Sequence, residues 1–149
     1  MIENINWYPG HMKKTRELIQ ENLKMVDLVI EVIDARIPVS SRNPIIDDLV
    51  KSKQRIVVLN KSDLSDDTAN AQWADEFRKD GSIVLQMNCM SGQGVNQLFK
   101  TLTRLQDEKN KDQIRKKPLR MMIVGVPNVG KSSLINRMTG KKSAKTGDR

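Results

Sequence analysis

The chain has 149 residues, a formal net charge of +8 and a sequence pI near 9.7, which suits one domain with its own core and favours a polyanionic partner, nucleic acid or nucleotide. Aromatic residues are only 3% of it, against a single-strand binder that stacks bases on rings, and the lone Cys89 excludes a disulfide framework and a Cys-rich zinc site and suits a reducing cytosol. No apolar run approaches a membrane span, and the opening "MIENINWYPGHMKK" lacks a signal peptide's apolar stretch, so the expected address is the cytoplasm, with no membrane and no disulfide partner.

In chain order, a helix is predicted over about Met12 to Met25, then a strand over Leu28 to Ile33 ("LVIEVI"). Ile45, Ile46, Leu49 and Val50 mark a helix over Pro44 to Lys51, and "IVVL" a strand over Ile56 to Leu59. Ala69, Trp73 and Phe77 share one helical face within Asp66 to Lys79, and "IVL" marks a strand over Ile83 to Leu85. Val95, Leu98, Leu102 and Leu105 form the stripe of a helix over Val95 to Leu105. Residues 107–118, "DEKNKDQIRKKP", read as a solvated connector. A strand over Met121 to Val124 and an amphipathic stretch over Ser133 to Met138 follow, and the basic tail 140–149 has no apolar periodicity. Short aliphatic strands alternating with helices predict an α/β fold: a mostly parallel sheet between two helical layers. The organisation is one domain, with a block over 1–106, the connector over 107–118 and a second block over 119–149.

"GVPNVGKS" at 125–132 stands between a strand and a helix, the context of a Walker A phosphate loop. Backbone N–H groups of Asn128, Val129, Gly130, Lys131 and Ser132 would wrap phosphates at the helix N-terminus, with Ser133 next in line. Lys131 would reach the β- and γ-phosphates, and the Ser132 hydroxyl would bind Mg²⁺. "NKSD" at 60–63 ends a strand. A carboxylate at Asp63 can accept two hydrogen bonds from guanine N1–H and N2, which adenine cannot offer. Lys61 can lay its stem on the base, and Asn60 can tie this loop to the phosphate loop; Ser62 reads equally well as solvated. "NCMSGQG" at 88–94 could present a backbone N–H near Cys89 to guanine O6, and an ordinary glycine-containing βα turn explains it nearly as well.

The base motif precedes the phosphate loop, the reverse of most nucleotide-binding chains. In a doubly wound sheet the ligand lies outside the carboxyl ends of the strands. A GTPase cut before one strand and rejoined through a connector keeps its site, so the order reads as circular permutation.

"NWYPGHM" at 6–12, "DARIPVSSRNP" at 34–44, "NKSD", "GVPNVGKSSLIN" and "KTGDR" together resemble the ribosome biogenesis GTPase A family (YlqF-like), bacterial circularly permuted P-loop GTPases. The resemblance implies GTP and GDP as ligands, hydrolysis of GTP by the full-length protein, and a role in late assembly of the 50S subunit with its precursor rRNA as partner. It places the base loop on Asn88 and Cys89, where the family usually has Ser-Ala, and a K⁺ contact on Asn128. It matches His11 to a histidine proposed to assist hydrolysis, although a lone histidine at a helix start is more often a solvated cap. Asp34–Ala35–Arg36 matches a family signature, with a loop-fixing ion pair as its plain reading. The family continues after "KTGDR" with a Pro-Gly-Ile-Thr-like segment, an Asp-Thr-Pro-Gly motif and an RNA-binding helical domain. The resemblance therefore implies an incomplete GTPase domain, with a sheet edge left open and little turnover by these 149 residues alone.

Two further readings stand beside this one. A P-loop ATPase or kinase would also carry the phosphate loop, but "NKSD" argues against it. A guanine-nucleotide-regulated RNA-binding module would use the basic surface and bind RNA regardless of nucleotide.

Overall fold

The computed structural model describes residues 2–6, 12–36, 48–50, 52–61, 67–79, 81–125 and 130–140. Its elements are β1 (Ile2–Asn6), α1 (Met12–Leu23), β2 (Leu28–Asp34), β3 (Gln54–Asn60), α2 (Asp67–Arg78), β4 (Ile83–Met87), α3 (Val95–Lys109), β5 (Met121–Gly125) and α4 (Lys131–Thr139). Of the helix expected over Pro44 to Lys51, residues 48–50 are helical and the others lie outside the described residues.

All five strands are parallel, in the spatial order β1-β5-β2-β3-β4. Such a sheet needs cover on both faces, and alternation along each strand supplies two apolar sets. Leu28, Ile30, Val32, Ile56, Val58 and Ile123 pack with Val95 and Leu98 of α3 and Leu134 and Ile135 of α4. On the other face, Val29, Met122 and Val124 join Ile19 of α1, while Ile33, Val57 and Leu59 join Ala74 and Phe77 of α2. On that second face a buried ion pair, Arg55 to Glu31, sits between the two clusters.

The chain steps outward through β2, β3 and β4, then returns past them to lay β5 between β2 and β1. This return sets the phosphate-loop strand beside the strand ending in Asp34. Because the strands are parallel, Asn6, Asp34, Asn60, Met87 and Gly125 all end on one edge of the sheet.

Three features differ from expectation. The four expected strands are joined by a fifth, β1, which runs along β5 from Ile2↔Met121 to Asn6↔Gly125, so β5 is paired on both sides. The first helix stops at Leu23, two residues early, where the Met25 N–H turns back to the Asn22 carbonyl at 3.0 Å. The connector is also no free spacer: α3 runs on to Lys109. Buried Asn110 then accepts the Lys117 N–H at 2.8 Å and donates to the Lys117 carbonyl at 2.9 Å. Lys109 donates to Asp27 at 2.6 Å and to the Pro118 carbonyl at 2.9 Å. Burial raises the Asp27 carboxyl, but hydrogen bonds from Lys109 and the Arg120 amide outweigh it and hold the pKa below the usual range.

Candidate functional site

Asn60 is the last residue of β3, 1% exposed, and its side chain reaches sideways across the strand ends. Its Oδ1 accepts the Cys89 N–H at 2.8 Å. Its Nδ2 lies against Gly130, where an added Cβ would stand 2.1 Å from that nitrogen. One buried amide thus joins the start of the base motif, the 88–94 loop and the start of the phosphate helix. Gly130 has φ +97°, a left-handed conformation, so both its backbone and its lack of a side chain are used.

Lys61 follows at φ +63°, unusual for a residue with a side chain. Its ammonium lies 3.6 Å from Asp34 Oδ2. Asp34 also takes the fork of Arg36, Nε at 3.1 Å to Oδ1 and Nη2 at 2.9 Å to Oδ2, plus the Arg36 amide at 2.9 Å. Burial pulls the Asp34 carboxyl up, yet these bonds hold its pKa below the usual range. The ion pair of Asp34 and Arg36 is therefore present, and Lys61 shares its carboxylate. Ser62 and Asp63 lie outside the described residues.

The 88–94 loop is closed on itself. Asn88 pairs with Gln93 across an isolated bridge, the Asn88 N–H donating to the Gln93 carbonyl at 2.9 Å. Asn88 Oδ1 accepts the amides of Met90 and Ser91, both at 3.0 Å. The expectation is of a backbone N–H near Cys89 for a base oxygen; the N–H of Cys89 itself is held by Asn60, and a base oxygen would have to take over that bond to use it. Cys89 is fully buried, and burial pushes its thiol pKa up to about 12.

The helix that carries the phosphate motif, α4, begins at Lys131 with Gly130 as N-cap and no side-chain cap bond. Its first amides are therefore available to an anion, where the helix dipole also favours negative charge. Ser132 and Ser133 follow, both half-buried; Asn128 and Val129 lie outside the described residues, as does His11. Lys131 is 4% exposed, and its ammonium donates to Asn4 Oδ1 at 2.9 Å and to the Ile5 carbonyl at 2.8 Å. Burial lowers its pKa to about 7. The lysine expected on phosphates is thus engaged by β1, and a phosphate would have to draw it away. Nothing in "IENIN" signals that role.

The last turn of α4 supplies another residue without a motif. Arg137 Nε donates to the Cys89 carbonyl at 2.5 Å and Nη2 to the Met90 carbonyl. Gly92 leaves room for it, since an added Cβ there would stand 2.7 Å from Arg137 Nη1. A cavity of about 570 Å³ opens beside this contact, lined by Met90, Val95, Phe99, Ser133 and Asn136 among others.

Residues 120–149 match the family described as 50S ribosome-binding GTPase. Over 149 residues the chain is 48% identical to Ribosome biogenesis GTPase A of Bacillus licheniformis, a match covering 97% of this chain and 53% of that protein. Identity to the Priestia megaterium protein of the same name is 49%, covering 97% and 52%. Mitochondrial ribosome-associated GTPase 1 of Mus musculus is 42% identical over 134 residues, 89% of this chain and 41% of that one. Among solved structures, a GDP-bound YlqF superposes with a TM-score of 0.63 at 33% identity, over 84% of this chain and 48% of that one. A GNP-bound YlqF from T. maritima gives 0.65 at 33%, over 87% and 49%. The chain spans about half the length of the curated relatives it matches.

Proposed function

We propose, from the premise that this chain belongs to the ribosome biogenesis GTPase A family of circularly permuted P-loop GTPases, that the carboxyl edge of its sheet binds a guanine nucleotide. The observation that carries the reading is Asn60. It belongs to the base motif, holds the base loop through the Cys89 amide and touches the phosphate loop at Gly130, so three segments distant in sequence meet at one buried amide.

On this reading Asp63 accepts from the guanine edge, Lys61 covers the base, and the 88–94 loop, with Asn88 and Cys89, lines its far side. Backbone amides from Asn128 and Val129 through Gly130, Lys131, Ser132 and Ser133 take the phosphates, and Lys131 leaves Asn4 and Ile5 to join them. Among the described residues no cluster of three or more His, Cys, Asp or Glu could hold a metal by itself. Ser132 fits the usual mode for Mg²⁺, one hydroxyl shared with phosphate oxygens and water. When bound, Mg²⁺ neutralises charge on the β- and γ-phosphates. Asn128 is the proposed K⁺ contact, and His11 the proposed aid to hydrolysis.

The whole protein on this reading hydrolyses GTP to GDP and phosphate while acting in 50S assembly. A basic cleft at the opposite edge of the sheet supports an RNA partner. Its volume is about 570 Å³, and it is lined by Lys24, Lys53, Lys109, Lys117 and Arg120, with Asp27 its one acid among the described residues. Among the described residues no helix is long and apolar enough to cross a membrane; the proposed address is the cytoplasm, where ribosomal subunits assemble.

Titration of the chain with labelled GDP, competed by GTP, GDP or ADP, tests the nucleotide reading. GDP and GTP displace the label at similar concentrations and ADP fails. Equal displacement by ADP would reject guanine recognition and return the site to a general P-loop ATPase or kinase.

A further inference from the structure

Cys89 is held on both sides of its backbone. Its N–H goes to Asn60 at the end of β3, and its carbonyl accepts from Arg137 Nε at 2.5 Å, with the next carbonyl, Met90, accepting from the same guanidinium. Arg137 is otherwise exposed and at the end of α4, where a surface arginine would ordinarily be solvated. Here its fork is spent on two carbonyls of the base loop, and Gly92 clears the space that lets it lie there. Charge-assisted bonds of this kind are stronger than neutral ones, and a planar guanidinium can hold two acceptors at once.

The helix that carries Arg137 starts at Lys131, in the phosphate motif. Six residues of α-helix span about 9 Å. One stiff element thus has a phosphate-binding end and a base-loop end. We infer that Arg137 is a positioning residue: it clamps the 88–94 loop to the phosphate helix and thereby slows release of the bound guanine nucleotide and sharpens the choice of base. Arg137 touches no nucleotide in this scheme and acts through the peptide groups of Cys89 and Met90. The inference rests on the nucleotide site proposed above, although the clamp itself is a property of the chain alone.

Cys89 is the only cysteine of the chain and is fully buried beneath the clamp. Its rate of alkylation by iodoacetamide therefore reports loop opening without any nucleotide. Arg137→Ala, Arg137→Gln and Arg137→Lys are compared with the wild type by Cys89 alkylation, by urea unfolding, and by the release rate of fluorescent GDP and the GDP-to-ADP affinity ratio. Arg137→Ala and Arg137→Gln are expected to speed alkylation and GDP release roughly tenfold or more, the loss of charge-assisted hydrogen bonds expressed as a rate. The GDP-to-ADP ratio falls with them. Arg137→Lys, which keeps one charged donor, recovers part of each effect.

An unchanged alkylation rate in Arg137→Ala would overturn the clamp. So would acceleration no larger than the measured loss of global stability accounts for, because the arginine would then be only a general stabiliser. Faster alkylation with unchanged GDP release and base selectivity would overturn the positioning role. If the wild type fails to bind GDP at all, the nucleotide reading falls, and with it the positioning role, while the alkylation result still decides the clamp.

Discussion

Replacing Gly130 by alanine strikes the point where the three site segments meet. The left-handed backbone at φ +97° costs a residue with a Cβ roughly 1–2 kcal/mol. The new methyl would stand 2.1 Å from Asn60 Nδ2 and 3.2 Å from its Cγ, so the Asn60 amide must turn. Asn60 is 1% exposed, and turning it breaks the bond that the Cys89 N–H donates at 2.8 Å. Stranding a buried donor costs about 1–3 kcal/mol. The sum, about 2–5 kcal/mol, is a large share of an ordinary domain's stability. Urea unfolding of the nucleotide-free chain should show a midpoint lower by roughly 1–2 M at unchanged slope, together with a loss of GDP affinity. A double-mutant cycle identifies the cause: in an Asn60→Ala background the same change should cost only the backbone strain. A midpoint within about 0.3 M of the wild type, on the same slope scale, or full additivity in the cycle, would refute the reasoning.

Burial of Lys131 depresses its folded pKa to about 7 from the ordinary 10.5. The unfolded chain therefore holds an extra proton between those values, and the penalty, complete below pH 7, is relieved as pH rises toward 10.5. Relative to Lys131→Met, the wild type should gain up to about 1.4 kcal/mol per pH unit in that window; a flat difference by urea unfolding would contradict it. Glu31→Gln should destabilise the chain in urea unfolding, by at most about 3–5 kcal/mol, because it takes the carboxylate out of the buried Arg55–Glu31 pair, and an apolar replacement of both residues should recover part of the loss. If the single change costs under about 1 kcal/mol, the pair is less buried than the structure shows. Combining Lys24→Glu, Lys53→Glu and Lys117→Glu at the basic cleft should weaken duplex RNA binding and lower the salt slope by about one per lysine removed. GDP affinity should stay unchanged. Equal loss from reversing Lys13, Lys14 and Arg16 on α1 would show that the RNA does not choose this cleft.

The sheet's inner strands were legible because each is a short, largely aliphatic run, as a strand covered on both faces must be except where buried charges pair, as Glu31 does with Arg55. β1 was not. "IENIN" carries two Asn and a Glu in five residues, a weak strand signal, and its place is set by pairing with β5. The last turn of α3 was missed for a related reason. Its apolar stripe ends at Leu105, whereas Lys109 and Asn110 are fixed by Asp27, Lys117 and Pro118. In the site, Asn60, Gly130 and Lys131 could be named because fixed spacing ties them to backbone geometry around a ligand. Arg137 and Asn4 could not. One acts on carbonyls 47 and 48 residues away and the other on an ammonium 127 residues away, and neither separation belongs to a motif.

Guanine recognition by the "NKSD" motif is the claim on which the rest depends, and a change of base preference tests it most directly. Xanthine differs from guanine by a carbonyl acceptor where guanine has its N2 amino donor, so Asp63→Asn exchanges an acceptor for a matching amide donor. Equilibrium binding of GDP and xanthosine diphosphate should be measured for the wild type and Asp63→Asn. The wild type should prefer GDP, and the variant should lose about 1–3 kcal/mol toward GDP, the worth of one bidentate pair, while gaining affinity for xanthosine diphosphate. Unchanged GDP affinity in Asp63→Asn, with no gain for the xanthine nucleotide, would mean that residues 60–63 do not read the base.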